Sequence, residues 1–379
     1  MLFFIGNSTK NVTICYPIYI LHNFPTLIFP WSLFLIAEIF LHFICAFYVI
    51  KCIYITVSIR SFHKNMTILV VTFSVQWFEV VVANAMTWPY ETGWWTLQGL
   101  LDLNLPATFL SLPIKQWWTD DESEMIHVSN FQPNFLFFLG GFIKLHYLIT
   151  MATILIIVSV ERTFACWYLN DYERKSRIWI AALIIFINQL FNFLVAVAFY
   201  FKFVHFVGMV LMTLLPNAVG LFLVLYTRIY NLKVTKTIEN FSNPKNYTLA
   251  ARYQAKENIR CFQMISNVLI AGIVFVSFGF TVSTLLYLKI FPNLDTILNI
   301  LIQFIMSFAP VVICPTMIYS VDSWRKFAIS KHFWVWKKLK KKMRMVEVEP
   351  PVRRKSTVKN ELSRKETDVY FSQFNSAWK

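Results

Sequence analysis

Long apolar runs, each cut off by a short polar or basic stretch, set the rhythm of this chain. About 20 helical residues cross the ~30 Å hydrocarbon core of a bilayer. Seven stretches are long and apolar enough: residues 30–59, 67–89, 135–159, 178–201, 204–230, 264–288 and 295–319. The expected fold class is all-α, a seven-transmembrane helical bundle spanning 30–319, preceded by residues 1–29 and followed by an interfacial helix at 320–345 and a polar tail at 346–379. The stretch 178–230 runs almost unbroken, with only Lys202 and His205 to mark a division. A straight helix of that length would measure ~80 Å, so the chain is expected to turn back near Lys202. Met1 to Ile5 are apolar but too few for a signal peptide's core, so membrane entry is expected to rely on the first span.

Charge placement orients the bundle. The chain carries 35 Lys and Arg against 20 Asp and Glu, a formal net charge of +15. In a soluble protein that excess would suggest nucleic acid, but here the basic residues sit between apolar runs. Loops one, three and five hold thirteen of them, whereas loops two, four and six hold only Lys115, Lys202 and Lys289. Cytoplasmic loops collect Lys and Arg, so the N-terminus is expected outside and the C-terminus inside. Basic loops on both sides of 178–230 also require an even number of crossings there. The glycosylation acceptors Asn7 and Asn11 fall on the outer end, while the sequons at Asn65 and Asn246 would face the cytosol and stay bare.

Composition agrees with a membrane protein: 57% hydrophobic and 15% charged, against about 45–50% apolar in soluble domains. The six cysteines read as packing residues, and no Cys-x-x-Cys pair or His/Cys cluster has metal spacing. No cofactor is expected. Neither His-Glu-x-x-His, Gly-x-Ser-x-Gly nor a pair of intramembrane aspartates is present, which speaks against an enzyme. The outer loop 90–134 is aromatic and acidic, with Trp94, Trp95, Trp117 and Trp118 beside Asp120, Asp121, Glu122 and Glu124; it reads either as a lid over the outer mouth or as an aromatic belt at the interface. After the last span, Trp324, Phe327, Phe333, Trp334 and Trp336 precede Lys337 to Lys342, the pattern of a helix lying on anionic inner-leaflet lipid rather than on nucleic acid. Beyond Pro350 the tail is polar and expected to be disordered, with Ser356 following three cations as a phosphorylation candidate or as part of a solvated charge run. No repeat of three spans against three is visible, which weakens a two-halved transporter.

A charged group inside hydrocarbon costs at least ~2.5–3.5 kcal/mol on insertion scales, so each one needs a partner, a cavity or a route to the interface. Lys51 can snorkel. Glu38, Glu79 and Lys144 lie about 12, 15 and 13 Å below the outer ends of their spans, at one depth. They are expected to meet as a net negative cluster, either a site for a cationic ligand, a proton or Na⁺, or a structural polar knot. Gln303, about 12 Å into the last span, and Asn188 with Asn192 read as helix–helix glue, with Gln303 also a candidate ligand contact. His146, two residues from Lys144, reads as a core histidine bonded to a neighbour.

The third span ends in Glu161-Arg162, an acid and a guanidinium that can form an internal latch and exchange partners when a helix shifts. With this pair at the end of its third span, the chain resembles the seven-transmembrane nematode chemoreceptors of serpentine receptor class epsilon, the Sre family. The likeness rests on Arg60 to Met66, Trp77-Phe78-Glu79, Glu161 to Ala165, Asp171-Tyr172-Glu173 and Arg252 to Arg260. The resemblance implies a GPCR-like fold and a chemosensory receptor in the plasma membrane of sensory-neuron cilia, with an external small-molecule ligand and a cytoplasmic heterotrimeric G protein as partners. Glu161, Arg162, Asp171, Tyr172, Glu173, Arg252, Lys256 and Arg260 are the expected coupling residues, with membrane-surface charge as the alternative role. Against rhodopsin-like receptors, Thr163 stands where an aromatic would follow the Glu-Arg pair, the sixth span has no proline, and Pro310 and Pro315 precede Tyr319 without an Asn-Pro-x-x-Tyr. No Cys stands at the outer end of the third span. A seven-span ligand-gated channel or small-molecule transporter is the competing reading.

Overall fold

The computed structural model describes residues 2–7, 10–16, 32–59, 61–98, 125–168, 177–239, 249–288, 290–291 and 294–329. The chain divides into two units, Met1–Ala328 and Ile329–Lys379, the second of which falls almost wholly outside the described residues.

Among the described residues, seven helices are long and apolar enough to cross a membrane. The first is α1 (Ser32–Ser58). The second is built from α2 (Lys64–Gln76) and α3 (Phe78–Glu91), and the third from α4 (Phe135–Ala152) and α5 (Ile154–Trp167). They are followed by α6 (Ile178–Tyr200), α7 (Phe206–Glu239), α8 (Leu249–Tyr287) and α9 (Asp295–Ser320). Both divided spans are single tightened turns in a helix that continues. At Trp77 the backbone stays right-handed helical and Val80 N–H reaches back three residues to the Trp77 carbonyl. At Thr153 the N–H is shared between the Ile149 and Thr150 carbonyls while Thr150 and Thr153 engage Asn192 of α6 through their hydroxyls. Hydroxyl side chains that bond sideways in this manner bend helices. The amide of Asn192 is thereby glue between the third and fourth spans.

α6 and α7 are separated by a tight reversal. Phe203 N–H bonds the Ala198 carbonyl and Lys202 N–H bonds that of Phe199, with Lys202 at φ 56°. This is a Schellman turn, built on a residue other than the usual Gly. α7 and α8 run well past their apolar stretches, because backbone hydrogen bonding continues where hydropathy stops. Large side chains such as Phe43 and Phe222 are 71% and 67% exposed, the apolar outer surface that a helix facing lipid presents.

One element departs from the all-helical expectation. β1 (Leu2–Asn7) pairs antiparallel with β2 (Lys10–Cys15) and parallel with β3 (Ile126–Val128), giving a sheet of order β2-β1-β3. Phe3 meets Tyr16, Phe137 and Phe138 edge to face, with ring centroids 5.5–5.9 Å apart. Tyr16 stacks on Phe137 at 4.5 Å and donates its hydroxyl to that residue's carbonyl. Its ring lies so close to Gly141 that a Cβ there would fall 2.0 Å from Tyr16 Cε2. The sheet therefore plugs onto one end of the bundle, the sheet end. Burial pushes the Cys15 thiol up to about 11, so it stays protonated and unreactive at neutral pH.

Residues 322–329 are helical after the extended Val321. The sequence expectation put Trp324 and Phe327 on a face dipped into headgroups. Trp324 is instead 1% exposed, its indole N–H on the Ile59 carbonyl at 3.1 Å and its ring against Phe62. Packing against the end of α1 buries more of the ring than an interface would, and the N–H finds an acceptor there.

Candidate functional site

α3 passes through Pro89 and ends only at Glu91, because a proline in the last turn removes one N–H bond without stopping the helix. Glu91 therefore stays on α3, facing α4. Lys144 Nζ lies 2.7 Å from Glu91 Oε1, and the two side chains are 5% and 10% exposed. Gln303 of α9 donates its amide to both Glu91 Oε2 (3.2 Å) and Glu38 Oε1 (3.3 Å). One amide thus joins carboxylates from α1 and α3, next to a single ammonium. Below them His42 donates from Nδ1 to the Glu38 carbonyl at 2.8 Å and faces Asn84 Nδ2 through Nε2 at 3.0 Å. Glu38 has no cationic partner among the described residues. An unpaired carboxylate at that depth is costly, so the site calls for a cation or a hydrogen-bond donor.

The expected trio does not assemble. Lys144 pairs with Glu91, and Glu79 stands apart from both Lys144 and Glu38. Glu79 Oε2 meets His146 Nδ1 at 3.0 Å and its Oε1 accepts from Gln76 at 3.2 Å, while Gln76 and Gln189 of α6 exchange amide bonds at 3.0 and 3.4 Å. The cause is angular. Lys144 and His146 are two residues apart and so point about 200° away from each other around α4. Depth along an axis follows from residue number, whereas direction around it follows from how the helices pack. Glu91 escaped the sequence reading because the second span was bounded at residue 89 and Glu91 fell in the outer loop; continuing the 3.6-residue period two positions further was the signal that could have found it. Asn188 Nδ2 is buried without a hydrogen-bond partner among the described residues.

The opposite end of the bundle holds the Glu161–Arg162 pair, both 0% exposed. The guanidinium grips its neighbour through a fork, Nε to Oε2 at 2.5 Å and Nη2 to Oε1 at 2.7 Å. Its remaining arm crosses to α8, with Nη1 at 3.1 Å from Asn258 Oδ1 and 3.2 Å from Cys261 Sγ. Asn258 then donates to Asn231 Oδ1 of α7 at 3.0 Å, and Asn231 to Cys166 Sγ of α5 at 2.9 Å. One buried cation therefore ties α5, α8 and α7 together. An isolated charge left there is worth about 3–5 kcal/mol of destabilisation. Asn231 and Asn258 were absent from the sequence expectation, although Asn258 lies inside a stretch that carried the family likeness.

Arg260 lies exposed on α8. The side chains of Arg252 and Lys256, the residues Asp171, Tyr172, Glu173 and Ser356, and the side chains of Asn7 and Asn11 lie outside the described residues, as does 99–124 of the acidic loop. Among the described residues no group of His, Cys, Asp and Glu is arranged to hold a metal ion.

Seven lipid-length helices, with a charged layer toward one end and a buried arginine network toward the other, are the architecture of a multi-pass membrane protein. The Sre G protein-coupled chemoreceptor family matches residues 1–379, and the chain belongs to that family. It is similar to serpentine receptor class epsilon-45 of Caenorhabditis elegans, 39% identical over 378 residues with 100% of both chains covered. Serpentine receptor class epsilon-38 of the same organism is 29% identical over 378 residues, covering 98% of this chain and 99% of the relative. No solved structure matches.

Proposed function

We propose that this chain is a chemosensory receptor that takes an external small molecule at the sheet end and signals through a cytoplasmic G protein at the other. The orientation rests on the basic loops: the N-terminus lies outside, in the plasma membrane of a sensory cell and, by family, its cilium. The ligand carries a cationic or strongly donating group, because Glu38 and Glu91 present two carboxylates to one ammonium. Gln303 couples the ligand to α9, and Lys144 holds Glu91 in place.

The observation that carries the receptor reading is Arg162, wholly buried and bonded at once to its own helix and to α8. If α8 swings away, Nη1 loses Asn258 and Cys261, and an unpaired buried donor costs about 1–3 kcal/mol or more when charged. The open state therefore needs an acceptor from elsewhere, which a G protein's backbone carbonyls supply. Asp171, Tyr172, Glu173, Arg252, Lys256 and Arg260 are the residues assigned to coupling in this reading.

The test is a screen of small molecules, weighted toward amines, on cells expressing the chain, reading second messengers and membrane current together. A receptor gives second-messenger responses that vanish when G proteins are blocked. Arg162→Ala, delivered normally to the surface, lowers the maximal response by at least about tenfold, the worth of one hydrogen bond from a buried charged donor. Unchanged signalling in that variant removes the switch, and a ligand-evoked current that survives G-protein block establishes a channel instead.

A further inference from the structure

Behind the charge layer, on the other side of α4, lies a second polar site that the receptor reading does not use. A groove of ≈ 500 Å³ runs between the second, third and fourth spans, lined by Gln76, Glu79, Val82, Phe142, His146 and Phe193 among others. That volume is within the roughly 300–1,000 Å³ of small-molecule sites. Its rim opens outward: Val82 and Phe193 are about half exposed, and the Glu79 side chain is 34% exposed. Glu79 is twelve residues from the sheet end of its span, some 18 Å at 1.5 Å per residue, so the opening faces hydrocarbon rather than water.

A carboxyl group exposed to hydrocarbon at this depth is expensive, and its acceptor capacity is only half used. His146 takes one oxygen and Gln76 the other, whereas an ionised carboxylate has about four acceptor positions. Gln76 and Gln189 satisfy one another behind it, so the polar wall is held in place. Water does not reach mid-bilayer, a phospholipid head group stays at the interface, and an acyl tail has no donor. What complements the remaining lone pairs is an N–H or O–H on an apolar body. We infer that this groove is a lateral binding site for a membrane-dissolved amphiphile, whose amine or hydroxyl head bonds Glu79 and whose chain lies along Val82, Phe142 and Phe193. The site is distinct from the Glu38–Glu91–Lys144 layer, because His146 and Lys144 leave α4 in opposing directions.

Receptor in phosphatidylcholine vesicles is photolysed with three diazirine-tagged probes, octylamine, octanol and donor-free octane, and the adducts are mapped by mass spectrometry. The donor-bearing probes label Val82, Phe142 or Phe193 at least about tenfold more than the octane probe, the worth of one hydrogen bond to a charged group. Excess untagged octylamine abolishes the labelling. Glu79→Gln lowers octylamine labelling severalfold, and Val82→Trp, which fills the groove without touching the polar wall, removes it for all three probes. Equal labelling by octane, labelling that never saturates, or labelling unaltered in both variants means that ordinary acyl chains fill the groove, and overturns the assignment. The readout is covalent labelling and needs no G protein, so its failure and the failure of the signalling test are separable.

Discussion

At the residue scale, the decisive fact is how few of the buried charges stand alone. Lys144 and Glu91 are a close pair with almost no exposure. Removing one partner strands the other, so Lys144→Met should destabilise the detergent-solubilised protein by about 3–5 kcal/mol, while Lys144→Met combined with Glu91→Gln should recover most of that loss. Thermal unfolding followed through the buried thiols measures both variants. Equal losses in the single and double variants would mean the pair does not act as a unit. The presence of costly charges was legible from residue type and position alone, since Glu38, Glu79 and Lys144 stand inside apolar runs. Their partners were not. A sequence places Lys144 at a depth but leaves its direction around α4 open, and the contact with Glu91 depends on where α3 lies.

At the element scale, close backbone approach does what side-chain chemistry cannot. A Cβ on Gly220 of α7 would sit 2.9 Å from the backbone of Ile156 in α5, and one on Gly140 of α4 would sit 2.6 Å from Thr87 Cγ2 and 3.1 Å from the Ala83 carbonyl in α3. Backbone cannot yield as a flexible side chain does. Gly220→Ala should therefore push α5 and α7 apart and cost about 1–3 kcal/mol. Gly272 on α8 has nothing within 4 Å of the position its Cβ would take, so Gly272→Ala should be neutral or stabilise by up to about 1 kcal/mol through helix propensity. Thermal midpoints of the two variants compare them directly. Nothing in the local sequence separates these glycines, because the difference lies wholly in the neighbouring helix. Helix ends tell a similar story: the Lys202 turn lacks its customary Gly, and α7 and α8 extend beyond the apolar residues that announced them.

At the scale of the whole molecule, the proposed orientation predicts which surface carries sugar. Asn7→Gln and Asn11→Gln should each remove one step of glycosidase-sensitive mass, and an N-terminal tag should be reached by antibody on intact cells while a C-terminal tag is not. Both tags reached from the same side would overturn the orientation, and with it the assignment of the sheet end to the ligand. The sheet gives that end its character. Residues far apart in the chain, Leu2–Asn7 and Ile126–Val128, pair there and set Phe3 and Tyr16 against Phe137.

The count of lipid-length helices, the excess of basic residues in alternate loops and the Glu161–Arg162 pair could all be read from the linear chain, because hydropathy and charge are properties each residue has against its solvent. Three matters had to wait for the folded bundle: that Lys144 answers Glu91, that Glu79 turns outward to His146, and that Arg162 reaches Asn258 and through it Asn231. Each depends on the azimuth at which one helix meets another. That angle emerges from the packing of all seven together and is written in no single stretch of the chain.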